Sequence, residues 1–241
     1  VTDDRVPDGV TRVRASNPSP LTLDGTNTYV VSGWVVDPGP DDPAHIDAVL
    51  DAAGGAIEGI ALTHEHHDHS EGAPALARQA RVEVTRPRGG ESVGPFEAIA
   101  TPGHAPEHVA LLAGRVLFAG DTVLGAGSVF VGGEEGSMGA YLDSLRRLRE
   151  LDLEAICPGH GPVVWDPRAK LDEYIAHRLE RERRVLAAIE GGATTRDEVL
   201  DSAWSDVDFE SVPYLRMAAG LTLEAHLDKL AADGRLPRAL D

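Results

Sequence analysis

Cysteine is almost missing: Cys157 is the only one in 241 residues. A lone thiol excludes an intrachain disulfide and a thiolate metal knuckle, and it fits a reducing compartment. Long apolar runs are missing too. None approaches the ~20 residues that a bilayer-spanning helix needs, and the chain opens on no charged-then-apolar leader pattern. The expectation is a cytoplasmic protein without a membrane partner. Basic residues are scarce: 22 Lys and Arg stand against 40 Asp and Glu, a formal charge of −18. Such a chain repels polyanions unless it keeps a local basic patch or a bound cation. Repeats and low-complexity tracts are absent as well. What is present is a globular composition, 42% hydrophobic and 26% charged, which excludes disorder as the main state. Turn residues abound, with 26 Gly and 16 Pro. Histidine is the anomaly: ten in so acidic a chain, four of them between positions 64 and 69.

Residues 27–31 and 34–36 read as a β-hairpin turning at Ser32-Gly33. Asp37-Pro38-Gly39-Pro40 breaks the strand, and Asp42 is placed to cap a helix over 43–53 with Pro43 in its first turn. Residues 57–62 predict a buried strand that ends in the histidine-rich loop, with Ser70 starting the next helix. Further strands are expected at 97–100, 108–112, 116–119 and 154–157. Ser137 is expected to cap a helix whose apolar face is Tyr141, Leu145 and Leu148. From Arg168 the pattern is helical. Leu171, Ile175 and Leu179 mark one face of a long helix ended by Gly191-Gly192, Thr195 and Glu198 form a capping box, and Leu223, Leu227 and Leu230 mark a third helix ended by Gly234. The division expected is a metal-binding catalytic domain over 1–167 and a small winged-helix-like domain over 168–241.

The chemistry centres on Thr63-His64-Glu65-His66-His67-Asp68-His69. Residues two apart in a loop can face one ion, which pairs His64 with His66, while Asp68 and His69 can face a second. Imidazole and carboxylate suit Zn²⁺, and imidazole also accepts iron or manganese. His104 in Thr101-Pro102-Gly103-His104, Asp121 in Gly120-Asp121-Thr122 and His160 in Pro158-Gly159-His160-Gly161 each stand beside glycine at an expected strand end. Together they supply a two-metal set: His64, His66 and His104 on one ion, Asp68, His69 and His160 on the other, and Asp121 between them.

With these motifs in this order, the chain resembles the metallo-β-lactamase superfamily from about Asn27 to Pro162. The resemblance implies an α/β fold, an αββα sandwich with metals at the sheet edge. It also implies metal-assisted hydrolysis: two cations lower the pKa of a shared water, which supplies a hydroxide nucleophile. Asp68 is expected to orient that nucleophile and accept its proton, and Asp37 to hold a ligand rather than bind metal.

Within the superfamily, an aspartate at position 121 resembles glyoxalase II, thioesterases, lactonases and the RNA-cleaving branch more than a true β-lactamase. The glutathione-binding lysine and tyrosine of glyoxalase II have no counterpart in Thr122-Val123-Leu124-Gly125-Ala126-Gly127. Asn27-Thr28-Tyr29, Gly120-Asp121-Thr122-Val123-Leu124-Gly125, Pro158-Gly159-His160-Gly161-Pro162-Val163 and Tyr174-Ile175-Ala176-His177-Arg178 resemble the β-lactamase-like endoribonuclease of mitochondria and its bacterial relatives. Related sequences include thioesterases of carrier-bound polyketides.

Charge speaks against RNA, whose binding draws on Lys and Arg, and leaves it a disfavoured partner. Residues 168–241 hold 11 Lys or Arg against 15 Asp or Glu, a net of −4, and the rest of the chain carries −14. The third helix sets Lys229 against Glu224, Asp228 and Asp233, so DNA is not expected as a partner either. Arg178, Arg181, Arg183 and Arg184, interleaved with Glu180 and Glu182, are expected on a solvated helix face. The expectation is a hydrolase with two zinc ions acting on a small or carrier-bound ester, thioester or lactone, with a single-strand endoribonuclease as the alternative. His177 and Arg178 are the candidate substrate contacts. His45 and His226 are expected at the surface, His67 turned away from the ligands, His108 in support of a ligand, and Cys157 inert in a strand.

Overall fold

The computed structural model describes residues 5–209, 214–236 and 240. Their contacts form two compact units, one of Val1–Thr101, Glu107–Val129 and Glu150–Lys170, the other of Pro102–Pro106, Phe130–Arg149 and Leu171–Asp241.

The first unit holds two five-stranded mixed sheets. One is β1 (Val10–Arg14), β2 (Asn27–Val31), β3 (Trp34–Val36), β4 (Gly59–Ala61) and β5 (Val84–Thr85), in that spatial order. Its first three strands are antiparallel, and β3, β4 and β5 run parallel. The other contains β6 (Ser92–Val93), β7 (Phe96–Ala100), β8 (Val109–Ala113), β9 (Val116–Gly120) and β10 (Ala155–Pro158), with β10 and β9 parallel and the rest antiparallel. The hairpin turns where expected. Ser32 at φ +48° and Gly33 at φ +78° both take the left-handed region that a two-residue turn of matching twist requires.

Strand β2 is buried at every position because both its faces are covered. Tyr29 and Val31 enter a core shared with Phe96, Leu111 and Phe118 of the second sheet. The ring of Phe118 meets Tyr29 and Phe96 edge-on at 5.3 and 5.6 Å. On the other face, Val30, Val35 and Ile60 pack with Ile46, Val49 and Leu76. The helices bearing them are α1 (Pro43–Ala53), capped by Asp42, which accepts from the Ala44 N–H at 3.0 Å, and α3 (Ala73–Ala80).

One expectation fails between these helices. Ser70 does not start a helix; it ends a single turn, α2 (His67–Ser70), and α3 begins three residues later. The Ser70 hydroxyl bonds back to the carbonyls of Glu65 and His66, closing the turn rather than opening one. Asp68 and His69 therefore project from a helical turn, not from an open loop.

The second unit consists of α4 (Met138–Arg149), α5 (Pro167–Glu190) from Leu171 onward, α6 (Arg196–Ala203) and α7 (Tyr214–Ala232). The Ser137 hydroxyl accepts from the Ala140 N–H, and Thr195 and Glu198 form the reciprocal capping box. Val185, Ile189, Leu200, Leu223, Leu227 and Leu230 share one core. Among the described residues of 168–241 there are three helices and no strand.

The inner face of α5 departs from the apolar reading. Leu179 is exposed, whereas Arg178, Arg181 and Glu182 are buried with Leu171, Tyr174 and Val185. The buried face follows the helical period but carries charge in its middle turn, so an apolar-only pattern misplaces it. The arginine cluster is accordingly no uniform solvated face. Arg183 and Arg184 pair with exposed Glu180, while Arg181 bonds Asp206 and the Ala203 carbonyl and stacks at 4.7 Å on Trp204. His45 and His226 are not at the surface either: they are 4% and 0% exposed. The His45 ring bonds Thr28 Oγ1 at 2.9 Å, and His226 is buried in α7 near Arg178, Arg181 and Lys229.

Candidate metal centre

Strands β3, β4, β9 and β10 deliver their carboxyl ends to one edge of the first unit. Asp37 follows β3, Thr63-His64 follows β4, Asp121 follows β9 and His160 follows β10. The carboxyl end of parallel strands is where α/β sheets bind ligands. Six of the seven expected ligands, all but His104, belong to this unit.

Three of them, Asp68, His69 and His160, lie close enough to share one ion, and Asp121 stands beside both imidazoles. His69 Nε2 lies 3.6 Å from Asp68 Oδ2, 3.4 Å from Asp121 Oδ1 and 3.3 Å from His160 Nε2. His160 Nε2 lies 3.2 Å from Asp68 Oδ2 and 3.4 Å from Asp121 Oδ1. Around an ion with ligands at ~2.05 Å, a tetrahedron has edges of about 3.3 Å. The donor set and its spacing fit a small divalent ion.

Hydrogen bonds behind the ligands determine which nitrogen each ring presents. Asp37, 2% exposed at φ +49°, accepts from Thr63 N at 2.8 Å, from Thr63 Oγ1 at 2.7 Å and from His69 Nδ1 at 3.0 Å. With its proton held on Nδ1, His69 turns Nε2 to the site. Thr63 Oγ1 accepts in turn from His64 Nδ1 at 3.0 Å, so His64 also presents Nε2, 3.1 Å from His66 Nδ1. His160 donates Nδ1–H to the Gly25 carbonyl at 3.4 Å. Asp37, His64 and His69 also lie close enough to share an ion. Both oxygens of Asp37 are already engaged, so its part is to hold Thr63 and His69, as expected.

His108 backs two of the expected ligands, His64 and Asp121. It is buried beside His64 with ring centres 4.8 Å apart, and its Nε2 accepts from the Asp121 main-chain N–H at 3.1 Å. That acceptor role places its proton on Nδ1, which meets Thr101 Oγ1 at 2.8 Å. His67 turns away, exposed and paired with Glu71. His104 stands on the Pro102–Pro106 stretch of the second unit, where its Nδ1 donates to the Phe130 carbonyl at 2.9 Å, so that Nε2 is the nitrogen without a proton in the neutral ring. His177 is exposed on α5, and Arg178 is buried with its guanidinium carbon 5.4 Å over the Tyr141 ring.

Two glycines make room for the centre. A Cβ on Gly159 would lie 2.5 Å from His69 Cε1 and 2.7 Å from Asp121 Oδ1, and one on Gly120 would lie 2.4 Å from Thr63 Oγ1. Only hydrogen fits at either position.

The electrostatics favour a cation. Burial alone would raise the Asp121 carboxyl, but His69 and His160 beside it hold it well below the usual carboxylate range. Burial would likewise lower the two imidazoles, yet the carboxylates win: His160 is pushed up to about 9, chiefly by Asp121 and then Asp68, and His69 is also raised, by Asp121 and Asp37. Acidic groups that draw protons onto buried histidines offer the same field to a metal, whose binding would release those protons.

Paired mixed sheets with helices outside and a histidine–aspartate cluster at the strand ends define an αββα metallohydrolase sandwich. The signature of the Metallo-beta-lactamase superfamily matches residues 21–95 and 86–160. The chain is 31% identical to the Beta-lactamase-like protein 2 homolog of Caenorhabditis elegans, over 96% of this chain and 87% of that protein. It is 32% identical to the Lactamase-like protein adaB of Aspergillus niger, over 97% and 83%. Among solved structures, a metallo-beta-lactamase family protein of Thermus thermophilus aligns with a TM-score of 0.72 at 23% identity, covering 94% of each chain. A second, TTHA1623 in a di-iron-bound form, aligns at 0.57 and 27% identity over 67% of this chain and 98% of that one. The chain belongs to the metallo-β-lactamase superfamily, and it is a metal-dependent hydrolase of that class.

Proposed function

We propose that the protein is a binuclear zinc hydrolase acting on an ester, thioester or lactone, either small or carried on a partner protein, in the cytoplasm. The supporting observation is the close grouping of Asp68, His69 and His160, with Asp121 3.4 Å from both imidazoles. On this reading His64, His66 and His104 hold one ion, Asp68, His69 and His160 the other, and Asp121 bridges. Zinc suits the nitrogen and oxygen donors, with iron, as in the di-iron relative, or manganese as alternatives. Ions held there would lower the pKa of a bound water and polarise the substrate carbonyl. Asp68 is the more open of the two carboxylates, its side chain 30% exposed against 14% for Asp121. It stays ionised because, against burial, His160 and His69 hold its carboxyl below the usual range. One of its oxygens faces His160; the other is proposed to orient the attacking water and take its proton. The helical end, read as a winged-helix-like module, is proposed to contribute His177 and Arg178 to substrate binding.

A polyanionic substrate is disfavoured by pairing as well as by net charge. Both basic residues of α7 are spent on acids: Arg216 on Asp197 and Asp201, Lys229 on Glu182 and Asp233. The deciding experiment is metal analysis of the purified protein, followed by a panel of thioesters, lactones, a cephalosporin and single-stranded RNA. Two equivalents of metal and salt-insensitive turnover of a carbonyl substrate are expected. Cleavage of RNA alone, falling steeply with salt, would replace this reading with the endoribonuclease, and absence of metal uptake would end both.

A further inference from the structure

The Pro158–Gly161 segment carries His160 into the centre, and of its four residues only Pro158 is stiff by sequence. Glycines flank the histidine, Gly161 sits at φ +82°, and the pairing of β10 with β9 slips between Cys157 and Pro158. A ligand on such a stretch would lose much conformational freedom on ordering. Within its own sheet the Gly159 N–H donates to the Gly120 carbonyl at 2.8 Å, and most of what holds its carbonyls comes from the other sheet. The Asn27 side-chain amide donates to the Pro158 carbonyl at 3.0 Å and to the Gly161 carbonyl at 2.8 Å. Its main-chain N–H donates to the Gly159 carbonyl at 2.7 Å. The remaining carbonyl, that of His160, accepts from Gly125 N at 2.9 Å. Every backbone acceptor from 158 to 161 is therefore satisfied, three of the four by a single residue that is 1% exposed. Tyr29, on the same strand, adds its hydroxyl to the Pro158 carbonyl at 2.9 Å.

We propose that Asn27 is a positioning residue for the metal centre, holding the backbone on either side of His160 so that its Nε2 stays with Asp68, His69 and Asp121. The inference rests on the reading of those four residues as one half of a two-metal site. Chemistry explains the residue type. Only a carboxamide of this length presents two N–H donors to two carbonyls three residues apart; aspartate presents none, and its charge would face both oxygens. The Oδ1 of Asn27 makes no hydrogen bond among the described residues, so the donors alone hold the group. A ligand must stay within about 0.5 Å of its productive place, and a glycine-flanked histidine released from this clamp would not.

The test is cobalt(II) titration of the metal-stripped full chain, followed by visible absorption and calorimetry, with melting temperature measured in parallel. Wild type should take up two equivalents. His66→Ala identifies, as the step it retains, the half made by Asp68, His69 and His160. Asn27→Ser should weaken that step by about 10- to 100-fold and leave the other unchanged, and Asn27→Asp should weaken it further. Should neither fold, Tyr29→Phe, which removes one donor from the same segment, should weaken that step by about 2- to 10-fold. A merely structural clamp would lower the melting temperature and move both steps alike, or neither, and that result would overturn the proposal. Two normal steps in a folded Asn27→Ser would overturn it while sparing the two-metal reading, whereas fewer than two equivalents in wild type would overturn both.

Discussion

The Asp37 carboxylate lies 3.0 Å from His69 Nδ1, and the same carboxylate holds both the main chain and the hydroxyl of Thr63. One buried acid thus governs two neighbours of the metal site from opposite ends of the Thr63–His69 segment. Asp37→Ala would leave three buried donors without an acceptor, at about 1–3 kcal/mol each, and would free His69 to rotate. The expected result is a lower melting temperature together with a 10- to 100-fold loss of metal affinity. Asp37→Asn, which keeps the shape but offers one acceptor oxygen, should recover part of both. Unchanged zinc affinity in the alanine variant would refute the orienting role.

Gly159 makes a sharper case because the change adds a single methyl. Its Cβ would press on His69 Cε1 and Asp121 Oδ1 at 2.5 and 2.7 Å, and Gly159 N and O are both tied to neighbouring backbone. Overpacking a tight site costs about 1–3 kcal/mol. Gly159→Ala should keep native circular dichroism while losing at least one metal and most turnover. Full metal content by elemental analysis would contradict the packing described here.

Asp121→Ala tests the bridge. Two cations held without the carboxylate between them repel strongly at short range, so at least one metal and most activity should be lost on purification. Wild-type content and turnover would remove Asp121 from the ligand set.

His177 and Arg178 should separate. Arg178 is buried against Tyr141, so Arg178→Ala should lower the melting temperature by several degrees through lost packing and cation–π contact. His177 is exposed, so His177→Ala should leave stability unchanged and raise KM on the best substrate found. Equal KM values for wild type and both variants would make this part of α5 structural only.

The expected ligands are readable from order and spacing: His64 and His66 alternate in the loop after β4, and Asp121 after β9 and His160 after β10 each stand beside glycine at a strand end. The β2–β3 hairpin, the α1 cap and the α6 capping box are readable for the same reason, since local chemistry determines them. Tertiary effects are not. The short edge strands β5 and β6 have only two residues each and no pattern of their own. The inner face of α5 is hidden because buried arginines break its apolar stripe. The positions of His45 and His226 depend on what packs over them, and a single histidine in a helix carries no sign of that.

His226 offers a pH test independent of the metals. Its ring is fully buried in α7, and among the described residues neither nitrogen has a hydrogen-bond partner. Burial first, then the nearby charges of Arg178, Lys229 and Arg181, push its pKa down to about 3 from 6.5. A histidine depressed in the folded state binds its proton more readily when unfolded. Its contribution is therefore intact above pH 6.5 and is lost progressively as the pH falls toward 3. The loss is about 1.4 kcal/mol per pH unit inside that window, or about 2 kcal/mol at pH 5. His226→Leu removes the titration and two unsatisfied polar atoms while nearly keeping volume. At pH 7.5 it should be as stable as wild type or slightly more so, and at pH 5 it should exceed wild type by about 2 kcal/mol in urea unfolding. Acid effects on the carboxylate–histidine centre are common to both proteins and cancel in the difference. Parallel stability curves from pH 7.5 to 5 would show that His226 is not held neutral in the folded protein.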